Sequence, residues 1–242
     1  MRAKAAQLVM IDIPSSTLSS DDIAHLSSHP WNGVLMFAHN IKNREQIKAL
    51  LCQITSICPG APLFTIDQEG GLVDRIRFVD SVLSPGNMAL AATGRVEDCQ
   101  LAHQILGQQL RELGFHLDFS PCIDVNNNPD NPIVGVRSFG EDPQRVAQFG
   151  VAAVKGLQAG GVAATAKHFP GHGDSALDSH LALPTIPHSR ERLDAVEFVP
   201  FRAAIEAGVD AGVEAVVEAG RDPDPLVLER REDRLVVELV EA

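Results

Sequence analysis

The sequence predicts an α/β fold, with parallel strands alternating with helices as a TIM-like (β/α) barrel. Three observations carry that expectation. Short, continuously apolar runs alternate with amphipathic stretches almost from end to end, the pattern of strands buried on both faces by crossover helices. Polar residues recur at or just past the C-terminal ends of these runs, namely Asp12, His39, Asp67, Asp124 and the Lys167–His168 pair. In a parallel barrel those ends converge on one face, where the active site lies. The chain has 242 residues, at the lower edge of the about 250 that a single barrel needs.

The elements follow in order. "QLVMIDI" (Gln7–Ile13) reads as a first strand and "SSDDIAHLSSH" as a capped short helix. "GVLMFAH" (Gly33–His39) is a second strand, followed by the helical "NREQIKALLCQITSI". "APLFTIDQEGG" (Ala61–Gly71) is a third strand running into a glycine-rich loop. "VEDCQLAHQILGQQLRELG" repeats apolar residues at three- and four-residue spacing, the helical period. "FHLDFSPCIDV" is a fourth strand, and "DPQRVAQFGVAAVKGLQAGG" a helix closed by glycine. "VAATAKHF" is a fifth strand, "SRERLDAVEFVPFRAAIEAG" one further helix with an internal Pro200, and "VDAGVEAVVE" a sixth strand.

Composition removes several function classes. The formal net charge is −12, from 32 acidic and 20 basic residues, which argues against a nucleic-acid or anionic-membrane partner. Cys52, Cys58, Cys99 and Cys122 form no CxxC pair, so they read as reduced packing residues rather than a zinc or disulfide framework. The N-terminal apolar run is broken at once by Asp12, too short for a secretory segment, and no run approaches the roughly 20 apolar residues of a membrane span. A cytoplasmic protein is expected, with no cofactor.

The chemistry concentrates in "KHFPGHGDSALDSHLALP" (Lys167–Pro184), which holds three histidines, two aspartates and a lysine. A metal site is one reading of His168, His172, Asp174, Asp178 and His180. Pro170, Gly171 and Gly173 disfavour the helix on which an HxxxH spacing has geometric meaning. Acid–base chemistry is the other reading. Asp178 and His180 stand two apart, so in an extended loop both side chains point the same way. A carboxylate on one ring nitrogen fixes the tautomer and raises the basicity of the other. Asp67, in "IDQEGG", suits hydrogen bonds from vicinal sugar hydroxyls, and Arg75 and Arg137 are candidate partners of the ligand. Lys167 follows a buried strand, and a cation there needs a partner or a ligand.

Together, "KHFPGHGDSALDSHLALP", "IDQEGG" and "RSFGEDP" closely resemble glycoside hydrolase family 3, in its bacterial β-N-acetylglucosaminidase branch, from about Leu8 to about Asp210. The resemblance implies a retaining mechanism through a covalent glycosyl-enzyme, acting on N-acetylglucosamine-bearing cell-wall (muropeptide) fragments, so a carbohydrate is the expected partner. It implies that Asp67, Arg75, Arg137, Lys167 and His168 contact the terminal sugar. It makes His180 the general acid/base, with Asp178 as its orienting partner. Two departures stand out. Leu72 occupies a position where the branch usually has arginine, and nothing resembling the family's "SDD" nucleophile motif follows the histidine loop, where it would fall past Ala242. The expected organisation is therefore an incomplete barrel of about six βα units over residues 1–210, then a divergent tail over 211–242. Open strand edges in such a barrel invite self-association. Three functions stay open: a β-N-acetylhexosaminidase, a sugar-binding remnant without turnover, and a metal-dependent hydrolase on the histidine loop.

Overall fold

A computed structural model of the chain describes residues 5–176, 185–186, 188–209, 213–215 and 218–219. Five parallel strands pair in chain order: β1 (Met10–Ile11), β2 (Gly33–Met36), β3 (Leu63–Ile66), β4 (Leu117–Asp118) and β5 (Ala163–Ala164). Four more, β6 (Ala166–Phe169), β7 (Thr185–Ile186), β8 (Val213–Ala215) and β9 (Glu218–Ala219), form two parallel pairs, β6 with β8 and β7 with β9. β6 prolongs β5 past Thr165, and a parallel bridge from Cys122 to Lys167 ties it to the chain leaving β4. The strands thus follow one another as in a TIM-like barrel. Among the described residues β1 pairs only with β2, so the arc is open.

The helices are α1 (Ser20–Ser28), α2 (Arg44–Ile57), α3 (Asn87–Ala92), α4 (Val96–Leu113), α5 (Pro143–Ala159), α6 (Arg190–Ala195) and α7 (Phe198–Glu206). Their starts are written in short polar side chains. The Ser19 hydroxyl accepts from the Asp22 N–H while the Asp22 carboxylate accepts from the Ser19 N–H, a reciprocal capping box. Asn43 and Asp142 accept from Gln46 and Arg145 N–H groups at the heads of α2 and α5. The apolar stripes of α2 (Ile47, Leu50, Leu51, Ile54), α4 (Leu106, Leu110, Leu113) and α5 (Val146, Phe149, Val154, Leu157) join Val34, Met36 and Ile66 of the sheet in one core. α4 and α5 pack closely enough that a Cβ at Gly156 would overlap the Gln100 carbonyl and stand 2.8 Å from His103 Cβ.

Several expectations shift. The first and fourth strands are two-residue ladders rather than the seven- and eleven-residue runs read from the sequence; the first run begins in a turn before β1, and the fourth leaves its ladder to bond β6 through Cys122 and Ile123. The fifth is interrupted at Thr165. The single helix expected after the histidine loop is two, α6 and α7, with Val196 outside the helical region at φ −128°, ψ −73°. Pro200 sits in the first turn of α7, where a missing N–H costs no intrahelical bond. α3 was not expected. β8 falls within "VDAGVEAVVE", where a sixth strand is expected, and β9 within the stretch expected as a tail; the rest of that stretch lies outside the described residues.

Candidate active site

The C-terminal strand ends bring five charged side chains and a histidine into one continuous chain. The Lys167 ammonium, on β6 and only 3 % exposed, lies 2.6 Å from Asp67 Oδ1 and 2.9 Å from Glu69 Oε1. Glu69 receives Arg137 through a fork, Nε on Oε2 at 2.9 Å and Nη2 on Oε1 at 2.7 Å. The same Nη2 stands 3.1 Å from His168 Nε2, and His168 Nδ1 lies 2.6 Å from Asp124 Oδ2. A guanidinium only donates, so Nε2 accepts and Nδ1 carries the proton toward Asp124. Asp124 also accepts from the His168 N–H at 3.2 Å, the His172 N–H at 2.6 Å and the Cys122 thiol at 3.2 Å.

Burial and charge set the ionisation of these groups. Burial alone would raise the Glu69 carboxyl, but the Lys167 charge and the Arg137 hydrogen bond outweigh it and hold Glu69 at about 2. Burial is likewise overcome at Asp124 by His168 and the His172 amide, so this carboxyl stays below the usual range. Asp118, on β4 beneath them, goes the other way. Its burial outweighs the hydrogen bond from the Gln68 N–H and lifts it well above ordinary carboxylates. Burial also raises the Cys122 thiol, with the Asp124 charge adding to it, so it is no thiolate nucleophile.

The turn after β3 is shaped from inside. Gln68 accepts the Arg75 N–H at 2.7 Å through Oε1 and donates to Asp74 at 2.7 Å, and Asp74 accepts the Ile76 N–H at 3.1 Å. Arg75 Nε is buried and has no hydrogen-bond partner among the described residues. Leu72 is 70 % exposed, so the residue standing where the branch has arginine makes no core contact. His39, at the end of β2, lies 3.1 Å from the Ile13 carbonyl instead.

On the histidine loop, His172 and Ser175 are joined side chain to side chain. Asp174 pairs with His188 at 2.7 Å and with Arg192 at 3.4 Å, and Arg192 pairs with Glu197 at 3.0 Å. Asp178 and His180 lie outside the described residues. Among the described residues two groups offer ligand atoms within 4.8 Å of one another, Cys122–Asp124–His168 and Asp174–His188–Glu197. The first is already held together by its own hydrogen bonds and Arg137, and in the second the Arg192 guanidinium spans both carboxylates. Each group therefore has an internal counterpart for its charge.

Glu69, which bridges the two cations, was not singled out from the sequence. It stands two residues after Asp67, and the period of two that places alternate side chains on one side was the signal for it. Asp118 and Asn131 were also missed. Asp118 hides inside an apolar run, and Asn131 couples a local turn to backbone some forty residues away.

Residues 1–231 match the family described as the glycosyl hydrolase family 3 N terminal domain. The beta-hexosaminidase A of Pseudoalteromonas piscicida is 40 % identical over 191 residues, covering 75 % of this chain and 32 % of that protein. A glycoside hydrolase family 3 beta-N-acetylglucosaminidase from Paenibacillus sp. str. FPU-7 superposes with a TM-score of 0.86 at 44 % identity, over 90 % of this chain and 42 % of that one. NagZ from Neisseria gonorrhoeae, solved in complex with N-trifluoroacetyl-D-glucosamine, superposes with a TM-score of 0.78 at 31 % identity, over 85 % of this chain and 62 % of that one. This chain thus spans less than two thirds of each of these relatives. With its open arc of parallel strands and its charged strand ends, the chain belongs to glycosyl hydrolase family 3, as that family's N-terminal domain.

Proposed function

We propose that this chain carries the sugar-gripping strand ends of a β-N-acetylhexosaminidase that removes terminal N-acetylglucosamine from cell-wall fragments in the cytoplasm. The observation that carries the reading is the unbroken series Asp67, Lys167, Glu69, Arg137, His168, Asp124. Each of its polar groups is fixed by a neighbour, so it can meet sugar hydroxyls without reorganising, which is how binding contributes to rate. Asp67 keeps part of its carboxylate exposed for vicinal hydroxyls, and the unpartnered Arg75 Nε marks a second contact. In this reading His180 donates a proton to the leaving oxygen and later takes one from water, with Asp178 holding its ring, in a retaining mechanism. Most retaining glycosidases give both tasks to carboxylates. Binding without turnover is the second reading, since every group of this series is one that can grip a sugar.

The test is hydrolysis of a chromogenic N-acetyl-β-glucosaminide, with N-acetylglucosamine binding followed in parallel. His180→Ala should lower turnover at least about a hundredfold, the scale of general acid–base catalysis, with sugar affinity little changed. Equal turnover removes His180 from the mechanism, and binding with no turnover in the parent chain establishes the second reading.

A further inference from the structure

The Asn131 carboxamide joins two segments that the sugar reading uses separately. On one side its Oδ1 accepts the Ile133 N–H at 2.9 Å and the Val134 N–H at 2.7 Å, at the entry to the short helical turn Gly135–Arg137 that presents Arg137. On the other its Nδ2 faces three carbonyls of the histidine loop, His172 O at 2.7 Å, Ser175 O at 2.9 Å and Gly173 O at 3.3 Å. The amide has only one orientation that works. Reversed, an NH₂ would meet two N–H donors and an oxygen would meet three carbonyl oxygens. The loop backbone is held from behind as well. The His172 N–H donates to Asp124 at 2.6 Å, and a Cβ at Gly173 would overlap the Val125 carbonyl. Residues 172–175 are therefore wedged between the strand-4 chain and one amide side chain.

We propose that Asn131 is a positioning residue: it sets the backbone leading to Asp178 and His180 at a fixed distance from the Arg137 turn, so that sugar recognition and proton transfer share one support. This rests on the reading of Arg137 as a sugar contact and His180 as the acid/base.

Asn131→Asp separates the two halves of the contact. The oxygen toward Ile133 and Val134 remains, whereas the donor toward the loop becomes an oxygen facing carbonyls. Three readouts test it on the full 242-residue chain. Hydrogen exchange should accelerate about tenfold at amides 171–176, the factor that losing one buried hydrogen bond carries, and stay unchanged at 133–140. Affinity for N-acetylglucosamine should stay within about threefold of the parent chain, under one such bond's worth. Where the parent releases chromophore, kcat should fall by at least about tenfold with KM nearly constant, the mark of a group whose effect is felt only in the transition state. Asn131→Ala, which loses both halves, should weaken sugar binding too. Unchanged exchange at 171–176, or acceleration spread over the whole chain, overturns the proposal, as does a loss confined to KM. A parent chain that neither binds nor hydrolyses the sugar refutes the functional reading instead, and the exchange comparison still decides the clamp.

Discussion

Glu69 shows how much one buried carboxylate can hold. Its side chain is 2 % exposed and touches both Lys167 and Arg137, so replacing it leaves Lys167 with Asp67 and takes from Arg137 its carboxylate partner. Glu69→Gln should cost about 3 kcal/mol, the usual loss on breaking a buried pair from one side. A denaturant titration would show it, and a midpoint equal to the parent's would mean that the cations find other counter-charges. The same variant should weaken N-acetylglucosamine binding, since Lys167 and Arg137 lose their shared support. At this scale the sequence was legible where burial forced a partner. Lys167 could be recognised as a cation at the end of an apolar strand, and the structure supplies two carboxylates for it. It was illegible where a side chain reaches backbone far along the chain, as the Asn131 Nδ2 does across the forty-odd residues to the loop.

Among the elements, α2, α4 and α5 were readable because their apolar spacing agrees with a terminal signal in each, an Asn43 cap on α2, a Gly114 stop on α4, and an Asp142 cap with a Gly160 stop on α5. The strands were read too long, since apolarity marks burial and not pairing: Phe115, Phe119 and Ile123 are buried outside the two-residue ladder of β4. The helix pair α6–α7 was read as one because a proline in a first turn looks, in sequence, like a proline in an interior. The crossing of α4 and α5 gives a sharp test. Gly156→Ala would ordinarily favour a helix, yet here the new methyl meets the Gln100 carbonyl and His103 Cβ. The variant should lose about 1–3 kcal/mol as overpacking pushes the helices apart, read as a lowered melting temperature. A gain in stability would show that the two helices separate without cost.

Taken whole, the molecule has acid-sensitive groups far apart in pH, His103 and Glu69 among them. His103 is buried between α4 and α5, and burial lowers it from 6.5 to about 4 despite its hydrogen bond to the Cys99 carbonyl. The unfolded chain therefore takes up this proton first, so the contribution is full above pH 6.5 and shrinks as pH falls toward 4. Glu69, held at about 2 against an ordinary 4.5, adds a contribution that is full above pH 4.5 and lost as pH falls through about 2. Melting temperatures should drop in two steps on acidification, and His103→Leu should shrink the upper one, to which the burial-lowered His116 and His172 also contribute. An upper step unchanged in the variant would assign it to those other groups. The open arc of strands followed from the sequence at this scale, because the run of βα units was visible even where each strand's ends were not. Under the proposed function the charged series at the rim discriminates by charge. Asp67, Glu69 and Asp124 set three carboxylates against Lys167 and Arg137, and both cations are already paired with carboxylates. N-acetylglucosamine should then bind more tightly than a uronate or a sugar phosphate, whose own charge meets the carboxylates; equal affinities would show that the rim does not select by charge.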